Sequence, residues 1–274
     1  MKNLVLIELI KTWRYPIFKV MVLLHAILYL LVITIGSQFE INIQGIRIDK
    51  LFSFPHIWDT FSWIASWFNL MLGIIIAILV SNEFQFKTLR KQIIDGMQRS
   101  EFLSGKLSIV LILTIYAFLL VSISGLLIGF INTPNPIEAG VFSNFKYVLV
   151  LFIQAFAYMM IGMLFAIIFR NTALSIIFFM LFFIMIEPII RAFFPSSIDK
   201  FFPVKIISNL TPIPDFFGIA ASDLIQVNNG SSNSISNMGI LPEHLSLGPA
   251  VLVSIVYVIA FYLISRYILL KLDL

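Results

Sequence analysis

The side chains able to do chemistry are few in this 274-residue chain, and the densest group of them lies in one stretch, Ser81–Lys106. Three are acidic (Glu83, Asp95, Glu101) and five are basic (Lys87, Arg90, Lys91, Arg99, Lys106). Charge at that density must lie in water or against a protein. Elsewhere the titratable groups are scattered. His25, His56, His244, Asp59 and Glu187 show no recognisable spacing, and catalysis needs such groups to converge. No GxxxxGK[ST], GxSxG, HExxH or dinucleotide-binding fingerprint is present. The absence of Cys removes disulfides, thiolate catalysis and Cys-ligated metal. A chain with a docking segment and no energy-coupling chemistry of its own borrows that chemistry. The competing classes are a multi-pass membrane enzyme built on the scattered His and carboxylate groups, and a structural subunit of a larger membrane assembly.

In a helix, Phe86, Leu89, Ile93 and Met97 fall on one face at steps of three and four, with Lys87, Arg90 and Lys91 on other faces. Asp95-Gly96 supplies a stop, because Gly takes the left-handed cap conformation readily, and Ser100 is placed to cap the helix that follows. The apolar face is expected to bury against a soluble partner or against the ends of the flanking spans.

Those flanking elements are far too apolar for a globular core. The chain is 60% hydrophobic with 28 Phe and only 12% charged residues, and its mean hydropathy is +1.01. A helix needs about 20 apolar residues to cross a bilayer core of about 30 Å. Six runs qualify: 17–36, 61–80, 107–130, 147–169, 173–190 and 249–270. Ten-residue alternating segments of a β-barrel are not seen, and the first run has no small-residue cleavage site behind it. The expectation is an all-α integral membrane protein forming one domain over residues 1–274.

Residues 1–15 are too polar to span. Leu6, Ile7, Ile10 and Trp13 form an apolar stripe opposite Glu8, Lys11 and Thr12, which suits a helix lying on the inner leaflet; the alternative is a frayed tail. Six of the 18 Lys and Arg (Arg47, Lys50, Lys146, Arg191, Lys200 and Lys205) fall in outer segments if both termini are cytoplasmic, and the other twelve fall inside. The positive-inside rule favours that orientation, with segment 82–105 cytoplasmic.

Within the spans, Ser62, Ser66, Asn69 and Gly73 draw one small, polar stripe down the second helix. Such a stripe packs against another helix or faces a pathway. Ser122, Gly125 and Gly129 on the third span, and Gly162 and Ala166 on the fourth, are small-residue helix contacts. A lone His25 is expected to hydrogen-bond a neighbouring helix. Residues 170–172 leave room only for a tight hairpin. Pro188 ends the fifth span, where Glu187 is expected to pair with Arg191 one turn on. Segment 191–248 is apolar in patches, which suggests short helices resting in or re-entering the outer leaflet; 227–238 has the composition of a flexible tip.

This layout resembles the membrane subunit of a type-2 ABC exporter. In the central loop Glu83, Thr88-Leu89, Arg99-Ser100 and Gly105-Lys106 stand where that family shows Glu, Gly-Thr-Leu, an Arg-Ser pair and Gly-Lys, with Lys87 in place of the usual Gly. The resemblance implies a cytoplasmic coupling helix that docks on a separate ABC ATPase through Phe86, Thr88, Leu89, Ile93 and Met97. It implies pairing with a second permease chain, identical or paralogous. ATP and Mg²⁺ would sit on the ATPase, leaving this chain no cofactor and no catalytic residue. Spans two and five would line the route, making Ser62, Ser66, Asn69, Gly73 and Glu187 candidate pathway residues. A Ser/Asn stripe facing a Phe/Met-rich span suits an amphipathic or lipid-like cargo such as a peptide, an antibiotic or a lipid-linked molecule. The setting implied is a bacterial plasma membrane, with lipids as partners and no nucleic acid.

Overall fold

In lipid a backbone can satisfy its polar groups only within itself, and helix dominates the computed structural model, which describes residues 2–38, 42–43, 46–211, 213–214 and 245–272. Helix α1 (Lys2–Arg14) breaks at Tyr15, and Pro16 opens α2 (Pro16–Ser37). A two-residue antiparallel pairing of β1 (Asn42–Ile43) with β2 (Ile46–Arg47), in register Asn42↔Arg47, precedes a 3-10 turn. Then come α3 (Ile57–Gln85), the short α4 (Thr88–Ile94), α5 (Arg99–Asn132), α6 (Pro136–Ala139) and α7 (Lys146–Phe169). The fifth long segment is composite: α8 (Thr172–Leu181), a π turn (Phe182–Ile186) and α9 (Glu187–Arg191). Two short helices, α10 (Ser196–Asp199) and α11 (Pro203–Ser208), precede α12 (Leu247–Lys271). Six of these segments are long and apolar enough to cross a membrane, as the apolar runs predict.

Helix α7 is the axis of the bundle. Its apolar window is 72% buried, against 11% for α12. It packs on α3, α5, α8 and α12. Closeness to α3 comes from two glycines: a Cβ on Gly162 would overlap the backbone carbonyl of Gly73. Gly125 and Gly129 of α5 do something different. They seat aromatic rings from the start of α3 and the turn before it, with a Cβ on Gly125 falling 2.6 Å from the Trp58 ring and one on Gly129 meeting Phe54. Around these rings a smaller apolar cluster forms at one end, beside the main core of α3, α5, α7 and α12.

Three local expectations are corrected. The loop 82–105 is not one helix carrying Phe86 to Met97 on a face. Helix α3 continues to Gln85, Lys87 adopts φ 56°, and α4 is only seven residues long. A left-handed residue turns the chain, so periodicity cannot be carried across it. Helix α5 is capped by Gln98 rather than Ser100, because Gln98 has extended backbone and its N–H donates to Glu101 Oε2 at 2.8 Å. Glu187 does not form the expected hydrogen-bonded pair with Arg191: its carboxylate accepts the backbone N–H groups of Val204 and Lys205, both at 2.8 Å. Arg191 Nε instead forms an ion pair with Asp199 Oδ1 at 2.8 Å. The free amides at the start of α11 outcompete a neighbour on the same helix. The tight turn expected at 170–172 is present, with Arg170 left-handed (φ 52°) and Asn171 Oδ1 capping Leu174 N at 3.2 Å. The tip at 227–238 and His244 lie outside the described residues.

Candidate functional site

At one end of the bundle α1, the last turn of α3, α4 and the second turn of α5 converge on a buried ion cluster. Lys106 Nζ, 3% exposed, donates to Glu8 Oε2 at 2.6 Å and to Glu83 Oε1 at 2.8 Å. Lys11 Nζ reaches Glu8 Oε1 at 3.5 Å and also pairs with Glu83. The four groups close a ring of alternating sign: Glu8, Lys106, Glu83, Lys11. Glu8 and Glu83 are buried as deeply as Lys106. Burying a charge is costly unless it is paired, and here each charge has two opposite neighbours.

Local sequence explains each corner. Glu8 and Lys11 are three residues apart and share a helix face. Gly105 leaves room for the acid, since a Cβ there would lie 2.8 Å from Glu8 Cγ. Thr88, the first residue of α4, donates its hydroxyl to the Glu83 carboxylate and lies 3.2 Å from the Glu83 carbonyl. Lys87 is left-handed where the resemblance places Gly, the residue that takes this conformation at no steric cost. Four motif residues, Glu83, Thr88, Gly105 and Lys106, therefore share one location, and their spacing is the spacing of that junction.

The junction reaches further elements. Asn82 donates to the Tyr15 hydroxyl at 2.6 Å and accepts from Thr172 at 2.8 Å, which ties in the starts of α2 and α8. The Arg99 guanidinium donates to the carbonyls of Leu269, at 3.3 Å, and Leu270 near the end of α12. A cavity of about 160 Å³ opens beside the ring, between Lys11, Tyr15, Glu83, Phe86 and Thr88.

Of the expected docking residues, Leu89 is completely buried in the chain's own core, and Ile93 and Met97 pack against the same cluster. Thr88 is committed to Glu83. Phe86 (66% exposed) and Ile94 (75% exposed) face outward, together with Arg90 and Lys91. Ile94 was not singled out by the pattern because it lies off the predicted apolar face. Helix α1 buries Glu8 and Thr12 and exposes Leu6, Ile7, Ile10 and Trp13. That is the inverse of a surface helix in water and suits a helix whose outer medium is lipid.

The polar stripe of α3 lies inside the bundle. Gly73 abuts Gly162 and Phe179, Asn69 sits beside His25, and Ser62 is completely buried. Ser66 alone of the four borders a cavity of about 510 Å³, whose walls include Trp63, Trp67, Phe183, Arg191 and Asn209. Glu187 does not line this cavity. With Gln154, whose Nε2 donates to the carbonyls of Ile207 and Ser208 (each 3.1 Å) and to Thr211 Oγ1 (2.9 Å), it clamps α11 over the bundle. An amide in an otherwise apolar span was the available signal for Gln154. The other titratable groups pair separately: His25 Nδ1 lies 3.1 Å from the Tyr116 hydroxyl, and Asp59 accepts from Asn144 at 3.0 Å. No group of three metal-ligating side chains occurs among the described residues.

Six apolar helices interlocked at one charged end, with a short helix whose far side is bare, define a polytopic integral membrane protein. The chain belongs to the ABC-2 family of transporter proteins: the family model described as ABC-2 family transporter protein matches residues 4–186, from α1 through the π turn. It is thus a membrane permease subunit of an ABC transporter, the transmembrane part and not the catalytic one, and the family implies pairing with an ABC ATPase subunit. No curated protein matches the chain.

Proposed function

We propose that this chain is one of two permease subunits of an ATP-driven exporter. It seats α4 on an ATPase that holds ATP and Mg²⁺, and it moves an amphipathic or lipid-like cargo across a bacterial plasma membrane. The observation that carries this is the two-sidedness of α4. Leu89 is embedded in the bundle while Ile94 on α4, and Phe86 in the turn just before it, stand bare beside the cations Arg90 and Lys91. Bare apolar side chains of that size on a water-facing helix are a docking surface. The distribution of Lys and Arg supports a cytoplasmic position for this end and for both termini.

The drive reaches the cargo through continuous helix. Displacing α4 pulls on Glu83 through Thr88, and Glu83 belongs to the 29-residue α3. At 1.5 Å per residue that helix is about 43 Å long, and its other half carries Trp63, Ser66 and Trp67 into the larger cavity. Aromatic walls with a few polar groups suit a ligand that is mostly apolar with one polar end. Trp67 is largely exposed at the cavity wall, which supports a seat for a second permease chain on that side.

The test uses the chain purified with its ATPase and reconstituted in proteoliposomes, with a fluorescent short-chain phospholipid as the transport probe. Ile94→Asp and Phe86→Asp put a charge into a desolvated contact, which costs several kcal/mol. ATPase association and ATP-driven movement of the probe should fall at least tenfold while the spans remain folded. Undiminished association and transport in both variants would dismiss α4 as the docking element.

A further inference from the structure

We infer that α1 is part of the moving coupling element, with Glu8 as the residue that positions it; this rests on the exporter reading above. A helix that merely floats in a leaflet needs no buried carboxylate. Glu8 is 1% exposed, and its described ion-pair partners are Lys11 on its own helix and Lys106 on α5. The charged groups around it tie in every element at the junction: Lys11 from α1, Lys106 from α5, whose ammonium also lies 5.3 Å from the Phe102 ring centre, and, one step further round the ring, Glu83 from α3 with Thr88 of α4 bound to it.

The ring makes this arrangement all-or-none. Removing Glu8 leaves two ammonium groups on one buried carboxylate, and the uncompensated charge must find water or move apart. With the ring intact, a shift of α4 is passed to α1, because Thr88 is bound to Glu83 and Glu83 to both Lys11 and Lys106. The opposite side of α1 presents Leu6, Ile7, Ile10 and Trp13 outward, and keeping those side chains in lipid holds α1 at the membrane surface. The chain thus ties α4 to a strut that slides along the leaflet and resists being pulled out of it. ATPase closure is turned into movement parallel to the membrane.

Alternating order yields a specific signature. Exchanging one adjacent pair, Glu8→Lys with Lys106→Glu, sets like charges side by side at two edges of the ring. Inverting all four positions, Glu8→Lys, Lys11→Glu, Glu83→Lys and Lys106→Glu, restores alternation. The Thr88 hydroxyl can accept a hydrogen bond as well as donate one.

Spin labels on Ile7→Cys and Asp95→Cys, both exposed in this Cys-free chain and neither placed in the docking surface, report the α1–α4 distance in lipid nanodiscs. Wild type should give one narrow distribution, unchanged when the ATPase complex is trapped with ATP and vanadate. Glu8→Gln should broaden it and reduce transport of the phospholipid probe at least tenfold while ATP hydrolysis stays within twofold. Gly105→Ala, which displaces Glu8 without removing a charge, should broaden it in the same way. The paired exchange should fail, and the fourfold inversion should recover the narrow distribution. The proposal is overturned if Glu8→Gln keeps a narrow distribution, or if paired exchange and fourfold inversion behave alike. The distance arm needs only the chain itself. A wild-type complex that moves no probe would therefore count against the exporter reading and leave the distances to decide the role of Glu8.

Discussion

Glu187 shows how much a single carboxylate can organise. It stands where the fifth long segment ends, and its two oxygens hold the first amides of α11, a helix otherwise attached through Gln154 and the side chains beneath it. Glu187→Gln replaces one acceptor by a donor facing another donor. A buried unmet amide costs about 1–3 kcal/mol, so amide exchange across 203–208 should accelerate about 10- to 100-fold while the spans keep their protection. Unchanged exchange there would mean that Gln154 alone holds α11. Lys87 is the complementary case. It occupies a left-handed conformation that an ordinary L-residue adopts at a cost of roughly 1–2 kcal/mol. The turn is needed to swing α4 away from the axis of α3, so Leu89 can enter the core while Ile94 stays out.

Among the elements, α3 and α7 set the spacing of the bundle. Lipid tails are as apolar as Leu, so helices in a bilayer associate through close packing rather than through exclusion from water. Gly73 and Gly162 allow that approach. Gly162→Leu would force the two backbones apart, with overpacking expected to cost upward of about 1–3 kcal/mol. The purified variant should melt several degrees lower and lose monodispersity in detergent. A melting profile equal to wild type would show that α7 is not held by this contact. Helix α1 repeats the lesson with polarity reversed: its charged side is its core side, because lipid lies outside it and the ion ring lies within.

For the whole molecule, the asymmetry is between buried and lipid-exposed helices. Helix α2, the composite fifth segment and α12 bury only 22%, 17% and 11% of their apolar windows, whereas α3, α5 and α7 bury half or more. The first three form the skin available to lipid or to a second permease chain. The two ends also differ in chemistry, and their sidedness can be read directly. Single cysteines at Ile94 and at Ile137 on α6, both exposed, should react with an impermeant maleimide from opposite sides of sealed vesicles, Ile94→Cys only from the cytoplasmic side. Labelling of both from one side would overturn the proposed topology.

Bilayer thickness acts on each segment separately, so the six long helices could be read from hydropathy alone. The amphipathic stripe of α1 and the charged loop between the second and third spans were legible for the same reason: each is written in consecutive residues. The clustering of Glu83, Thr88, Gly105 and Lys106 was legible as a motif, but its meaning was not. Glu8 and Lys106 are 98 residues apart, and nothing in either neighbourhood names the other. Which side of α4 is bare, which partner Glu187 chooses, and which member of the Ser62–Gly73 stripe borders the larger cavity were likewise decided only by tertiary packing. A helix pattern shows which residues share a face, but what lies against that face depends on elements distant in sequence. In a medium that solvates no charge, the energy of a buried carboxylate is set almost wholly by the partner that folding brings to it.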